Sequence, residues 1–356
     1  MQRGYNRNVP QRMVGKPSGR RRESYILILL CLLLILNMIF MLRLQLQVKS
    51  INNTLKQVLN RVVVSQRAED DILTPEEYEV LNRELYAKSE ESVRVEEVDY
   101  VSLCGLSEVD KPVNRSEREV LKRLEELAED NKVIEEICKN TSLYPENMLE
   151  ALANNPEMAD FVKNFPDSDG EVKGGLTSAE KEQDYPLFLQ WDPRWGYAEY
   201  GDESNIGLSG CGPTCLAMTL FYLLRDESIT PDKIAAYSME NNYYMKGTGT
   251  TWALLEDVAV LYGVQVSQPK SSEANIKDAL DRGGIVICSM GPGDFTAGGH
   301  FVVIYGYDEE GFYINDSNCV ARSRQKWSYE RIRKQIKNVW VYNKGTISDS
   351  PISYYG

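Results

Sequence analysis

Cys211 stands between two glycines at the head of an apolar run, in "SNIGLSGCGPTCLAMTLFYLL" over residues 204–224. A thiol attacks only as its thiolate, and the free N–H groups and positive dipole end of a helix N-terminus favour that form. Pro213 suits a first helical turn, where its missing N–H costs nothing. The spacing therefore predicts a helix over 212–224 with Cys211 at its mouth, and Gly210 and Gly212 leave space around the sulfur. Cys215 lies one turn further on among Leu216, Met218 and Leu220. It reads as a small buried hydrophobe, badly placed for a disulfide with Cys211.

A thiol nucleophile needs a base, and the base needs an orienting partner. The chain has one histidine, His300, which follows two glycines in "AGGHFVVIYGYD". A lone histidine is commonly a satisfied core residue; here it is the one imidazole available to Cys211. Asp316, in "FYINDSN", comes after a tight turn at Glu309–Gly311. A hairpin returns it to His300, where a carboxylate accepts the ring N–H and fixes the tautomer. Asn315 and Asn318 compete for that role. Gln190, in "PLFLQWDPRWGY", can lend an amide N–H to a developing oxyanion, with the backbone N–H of Cys211 as the second donor.

These groups need a scaffold, and the pattern predicts an α+β one. Helices are expected at 212–224, 231–241, 251–261 and 273–282. Strands are expected at 263–266, 284–290, 300–308, 311–316 and 338–342. Helices first and a mostly antiparallel sheet after them is the expected order. In "TTWALLEDVAVLYG", Trp252 serves either the core or a specificity pocket.

Upstream the chain changes character. Residues 116–165 predict a small helical unit: Ser116 and Glu119 form a capping box, and Val120, Leu121, Leu124, Leu127, Ile134 and Ile137 share one helical face. Residues 166–185 read as a Gly/Asp/Glu-rich linker, and its Gly174-Gly175 pair is a weak candidate for a cleavage point. Residues 67–115 read as an acidic spacer. Residues 44–66 carry a heptad seam of about three repeats through Leu44, Val48, Ile51, Leu55, Val58 and Val62, enough for a short stalk with weak self-association. Residues 25–43 include "YILILLCLLLILNMIFML", roughly 27 Å long as a helix and close to the hydrocarbon thickness of a bilayer. The flanking sequence offers no small-x-small cleavage site, which favours an uncleaved anchor over a signal peptide.

Charge sets the expected orientation. The formal net charge is −13, yet residues 1–24 carry seven Arg/Lys against one Glu. Residues 67–185 carry 32 acids and 14 bases. The positive-inside rule then leaves the basic tail cytoplasmic and everything after Arg43 outside. No basic patch follows the tail, which argues against nucleic-acid binding. With one His and no CxxC pair, no metal site or other cofactor is expected. The spacing permits a Cys104–Cys138 link without demanding it. The 13 residues from 344 on read as a C-terminal tail.

Taken together, "LFLQWDPRWGY", "GCGPTCLAM", "GTGTTWALLEDVAVLYG", "GGHFVVIYGYDEEGFYINDSN" and "RQKWSYERIRKQIKNVWVY" resemble the peptidase family C thirty-nine-like domain. This is the papain-like group related to bacteriocin double-glycine leader peptidases. The resemblance covers roughly 186–343. It implies a papain-like fold and thiol attack on an amide carbonyl through an acyl-enzyme. The nucleophile would fall on Cys211, the general base on His300, the orienting acid on Asp316 and the oxyanion donor on Gln190. Leader peptidases of that group are fused to exporters and face the cytoplasm. This sequence contains no GxxxxGK[ST] loop, so the leader substrate is not carried over. The expectation is an outward-facing, membrane-anchored cysteine peptidase acting on a peptide or protein. The alternatives are a cell-wall amidase or endopeptidase with the same triad, and a non-catalytic surface binding module.

Overall fold

The computed structural model describes residues 98–344 except residue 248. The segments expected as a cytoplasmic tail, a transmembrane helix and a heptad stalk, most of the expected acidic spacer and all but the first residue of the expected C-terminal tail lie outside these residues. All described residues belong to one compact unit spanning 94–356. Among them no helix is long and apolar enough to cross a membrane.

Four helices build the N-terminal part after a short turn of helix, α1 (Tyr100–Leu103): α2 (Glu117–Ala128), α3 (Lys132–Cys138), α4 (Glu146–Asn154) and α5 (Ala159–Asn164). The carboxylate of Glu119 reaches back to the N–H and hydroxyl of Ser116 at 2.8 and 2.7 Å, closing the predicted box. The expected single face is split between two helices. Asn131 ends the first run and accepts from the N–H groups of Val133 and Ile134 at 2.9 and 3.2 Å, capping α3. The side chain of Asn competes with helix continuation at such a point. Val120, Leu124, Ile134 and Ile137 are buried all the same, while Leu121 and Leu127 are half-buried.

The stretch between this part and the remainder contains another helix, α6 (Ser178–Glu182), opened by a Thr177–Glu180 capping box. Buried Arg194 fixes it in place. Its two terminal nitrogens bond Glu180 at 2.8 Å each, and its Nε and Nη2 bond Asp192 at 2.9 and 2.7 Å. A planar guanidinium is suited to such paired carboxylate contacts. Arg194 also donates to the carbonyl of Gly175 at 2.8 Å, so the Gly174-Gly175 backbone is tied to the domain.

Then come α7 (Ile206–Ser209), α8 (Cys211–Leu224), α9 (Pro231–Glu240), a hairpin β1 (Tyr244–Met245) and β2 (Gly249–Thr250), α10 (Trp252–Leu261), β3 (Val264–Ser267), α11 (Glu273–Asp281), β4 (Ile285–Met290), β5 (His300–Tyr307), β6 (Phe312–Asn315), α12 (Val320–Ser323), β7 (Lys326–Trp327), α13 (Tyr329–Ile332) and β8 (Ile336–Lys344). Six strands form one sheet in the order β3-β8-β4-β5-β6-β7, antiparallel throughout. This is the mixed helix and antiparallel-sheet architecture expected of a papain-like domain. The β1–β2 hairpin and the short α12, β7 and α13 are additions to the expected elements.

Helix α8 is buried almost all round because both the sheet and α9 pack against it. Strand alternation does the sorting. Ile285 and Ile287 of β4, with Phe301 and Val303 of β5, join the core that contains α8. Val286, Cys288, Met290, Val302 and Ile304 face the other way, into a core with Ile276, Ala279 and Trp327.

The N-terminal helices share the α8 core. Phe161 of α5 stacks on Tyr197 at 4.4 Å and 7°, and the Tyr197 hydroxyl donates to the Phe161 carbonyl at 2.9 Å. The ring also lies over two glycines. A Cβ on Gly207 would sit 2.4 Å from the ring and one on Gly196 2.8 Å, so only glycine admits this approach.

Candidate active site

Cys211 is the first residue of α8, immediately after α7. The turn between the two helices is tight. A Cβ on Gly210 would fall 2.5 Å from Ile206, and one on Gly212 would fall 2.8 Å from the Thr250 side chain. Both glycines are therefore required by close approach, and Cys211 stays partly exposed between them.

His300 opens β5, and β5 pairs with β6 so that Val303 lies opposite Asn315. Asp316 follows β6 directly and so returns to the His300 end of the hairpin. His300 Nε2 meets Asp316 Oδ1 at 2.7 Å, with both side chains buried. With Nε2 committed to Asp316, Nδ1 is the ring nitrogen left to face Cys211, and the two residues line the same clefts.

Of the two asparagines, Asn315 has its side chain engaged elsewhere, and Asn318 meets Asp316 through its backbone. Asn315 donates to the Tyr222 hydroxyl at 2.8 Å and towards the Pro186 and Tyr185 carbonyls. Asn318 gives its backbone N–H to Asp316 Oδ1 at 2.9 Å.

Asp316 has a second partner. The Nε of Arg322 donates to its Oδ2 at 2.7 Å, and Arg322 is itself only 2% exposed. The two terminal nitrogens of Arg322 have no hydrogen-bond partner. Burial works against the Asp316 carboxylate, but the charges of Arg322 and His300 outweigh it and draw its pKa down to about 2. Burial likewise opposes the imidazolium, yet Asp316, and then Cys211, push the His300 pKa up to about 10. For Cys211, burial opposes the thiolate. The His300 ring and the N–H groups of Phe301 and Gly212 prevail, and its pKa lies below the usual thiol value. The arrangement favours a thiolate–imidazolium pair.

The other thiols are driven the opposite way. Cys215 is fully buried, donates to the Phe301 carbonyl at 3.2 Å, and has its pKa raised well above normal by burial. Burial alone lifts Cys288 to about 12. Cys104 and Cys138 are both free thiols, so the permitted link between them is not formed.

Gln190 is buried against Cys211's surroundings. Its side-chain nitrogen donates to the Gly207 carbonyl at 2.9 Å, and its carbonyl accepts from the Ser317 hydroxyl at 3.0 Å. Gln190 lines a cleft together with Cys211 and His300.

Two cavities meet at Cys211 and His300. One of about 310 Å³ runs towards Asn147, Glu150 and Asn154 of α4, with Gln190 and the 295–299 loop on its other side. The other, about 680 Å³, is lined by Tyr244, Met245 and Trp252. Trp252 is 48% exposed and stands edge-on to Trp340 at 5.3 Å, so it serves the cavity wall. Among the described residues no cluster of three or more His, Cys, Asp or Glu side chains is arranged to hold a metal ion.

Sequence reasoning missed Arg322, Ser317 and the contribution of α4. Arg322 belongs to a short helix with no apolar periodicity, so nothing local marks it as buried. The α4 contribution depends on how the N-terminal helices dock, which no short-range pattern encodes.

Residues 182–348 match the family model described as the Peptidase_C39 like family. That match extends a few residues past both ends of the segment picked out by motif. No curated protein matches the chain. Solved structures similar to it include two peptidases. One is the peptidase domain of Streptococcus ComA, a bifunctional ABC transporter involved in a quorum-sensing pathway: it is 20% identical, with TM-score 0.33, and the match covers 46% of this chain and 99% of that one. The other is a C39-like peptidase from Bacillus anthracis, 18% identical, with TM-score 0.30 and coverage of 46% and 96%.

Proposed function

We propose that the C39-like peptidase domain carried by residues 182–348 is a working thiol peptidase with Cys211 as nucleophile. The observation that carries this reading is the partly exposed Cys211 at a helix N-terminus, sharing a cleft with a histidine whose Nε2 is held by a buried carboxylate.

In the proposed cycle the Cys211 thiolate attacks an amide carbonyl carbon. The carbonyl π electrons move to oxygen, where the Gln190 side chain and the Cys211 backbone N–H donate to the oxyanion. The oxyanion collapses, the C–N bond breaks, and the His300 Nδ1 proton passes to the leaving amine. The thioester is then hydrolysed: His300 takes a proton from water, the hydroxide adds to the acyl carbon, and Cys211 leaves as thiolate. Asp316 holds the ring and its charge throughout and does not take the proton. A peptide or protein substrate spans the two cavities on either side of Cys211.

The sequence features of residues 1–66 support a single N-terminal membrane anchor with the domain on the outer side, and weak self-association through the stalk.

The test is alkylation of the purified full-length chain with iodoacetamide at mildly acidic pH, with the adduct located by mass spectrometry. Fast labelling of Cys211, kept in Cys215→Ala and slowed in His300→Ala, is the expected outcome. A folded, reduced chain in which Cys211 labels no faster than Cys104 or Cys138 removes the peptidase reading.

A further inference from the structure

The N-terminal helices do more than flank the domain. The carboxylate of Glu157, between α4 and α5, accepts from the backbone N–H groups of Val320 and Ala321 at 2.7 and 2.8 Å. These are the first two residues of α12. The same carboxylate accepts from the thiol of Cys104 at 3.1 Å. Two residues before it, the buried Asn155 donates to the Asn318 carbonyl. Asn155 also accepts from the Glu157 N–H at 3.1 Å, which orders the pair.

The segment so gripped is the one that carries the site. Residues 316–323 form a closed loop: the Asp316 N–H donates to the Ser323 hydroxyl at 2.8 Å, and Cys319 N–H returns to the Asp316 carbonyl at 3.0 Å. Arg322 of α12 then donates to the Asp316 carboxylate, which holds His300. From within the domain, Trp191 and Trp327 bond the Asn318 and Arg322 carbonyls at 2.9 and 3.0 Å. The N-terminal end of α12 itself is held by Glu157, which lies outside the matched segment 182–348. Without that acceptor, two backbone donors would be left without a partner and α12 would be free to shift.

We infer that Glu157 is a positioning residue: it pins α12, and through Arg322 and Asp316 it sets the ring of His300 against Cys211, which makes the N-terminal helices a part of the active site. The inference rests on the peptidase reading above. A displaced Asp316 stabilises the imidazolium less well, so the thiolate–imidazolium pair weakens and Cys211 reacts more like an ordinary thiol.

The experiment is iodoacetamide alkylation of Cys211 across pH in the full-length chain, comparing wild type with Glu157→Ala, Glu157→Gln and Asn155→Ala. Glu157→Ala is expected to lose about tenfold in rate at mildly acidic pH, the effect of a shift of about one unit in the thiol. Its alkaline rate, where any thiol is ionised, should match wild type, and Glu157→Gln, which keeps one acceptor oxygen, should fall between. A purely structural role would not change the ratio of the acidic to the alkaline rate. A folded Glu157→Ala chain with the wild-type profile overturns the inference. Should Glu157→Ala not fold, Asn155→Ala decides in the same way: a reduced acidic rate supports the inference and a wild-type profile overturns it. If wild-type Cys211 itself shows no acidic reactivity, the peptidase reading fails and this inference falls with it. An activated wild type with unaltered variants removes this inference alone.

Discussion

Arg322 and Asp316 form a buried ion pair, Nε to Oδ2 at 2.7 Å, behind the contact between Asp316 and His300. Removing one member of such a pair leaves an uncompensated charge in the interior. Arg322→Met is expected to destabilise the fold by about 3–5 kcal/mol, read from urea unfolding. Arg322→Lys recovers part of this, because an ammonium keeps the charge but not the guanidinium geometry. A wild-type midpoint for the Met variant contradicts the assignment.

The same pair and His300 give stability a characteristic dependence on pH. His300 has a folded pKa of about 10, raised above the unfolded value of about 6.5. Its contribution is therefore complete below about 6.5 and is lost as pH rises towards 10. Asp316 has a folded pKa of about 2, below the unfolded value of about 3.9. Its contribution is present above about 3.9 and disappears as pH falls through that lower value. Urea titrations of Cys211→Ser, which removes the thiolate, should show the alkaline loss. Adding His300→Ala should flatten it; an equally steep slope in the double variant assigns the loss elsewhere.

Gly207→Ala places a methyl 2.4 Å from the Phe161 ring. Overpacking of this kind costs roughly 1–3 kcal/mol, and the change should lower the unfolding midpoint without altering the Cys215 environment. Pairing it with Phe161→Ala should give back part of the loss, since the two share one contact. Strict additivity would place the strain somewhere other than this interface.

Gln190→Ala removes a proposed oxyanion donor. Loss of one such donor typically costs about 10²–10³ in kcat, with KM little moved because the group acts in the transition state. Gln190 also bonds Gly207 and Ser317, so its folding must be checked by circular dichroism. A folded variant with wild-type kcat on a cleaved peptide rules out this role.

The proposed anchor and orientation have a direct check. The full-length chain should resist alkaline carbonate extraction from membranes, and protease added to intact cells should digest the domain while sparing the basic tail. Full extraction by carbonate contradicts the anchor, and protection of the domain contradicts the orientation.

Much of this molecule was legible in the order of its residues. Helix α8 and strands β4, β5 and β8 follow from apolar runs and alternation that burial on one or two faces imposes. Gly-Cys-Gly-Pro marks a helix start because few residues tolerate that turn. The hairpin between His300 and Asp316 was readable because antiparallel pairing converts a short sequence separation into proximity. The break at Asn131 was available locally as well, in a capping side chain inside an apparently continuous run.

What sequence alone could not decide was every relation that depends on non-local docking. Of Asn315, Asp316 and Asn318, it is Asp316 whose side chain meets His300, and the Asn315 side chain is engaged with Tyr222 instead. The buried Arg322, the Phe161 ring over Gly207 and the grip of Glu157 on α12 join segments far apart in the chain. Such contacts carry no period and no spacing. They arise only when separate amphipathic surfaces bury one another, and the polar groups caught between them must then find partners in the interior.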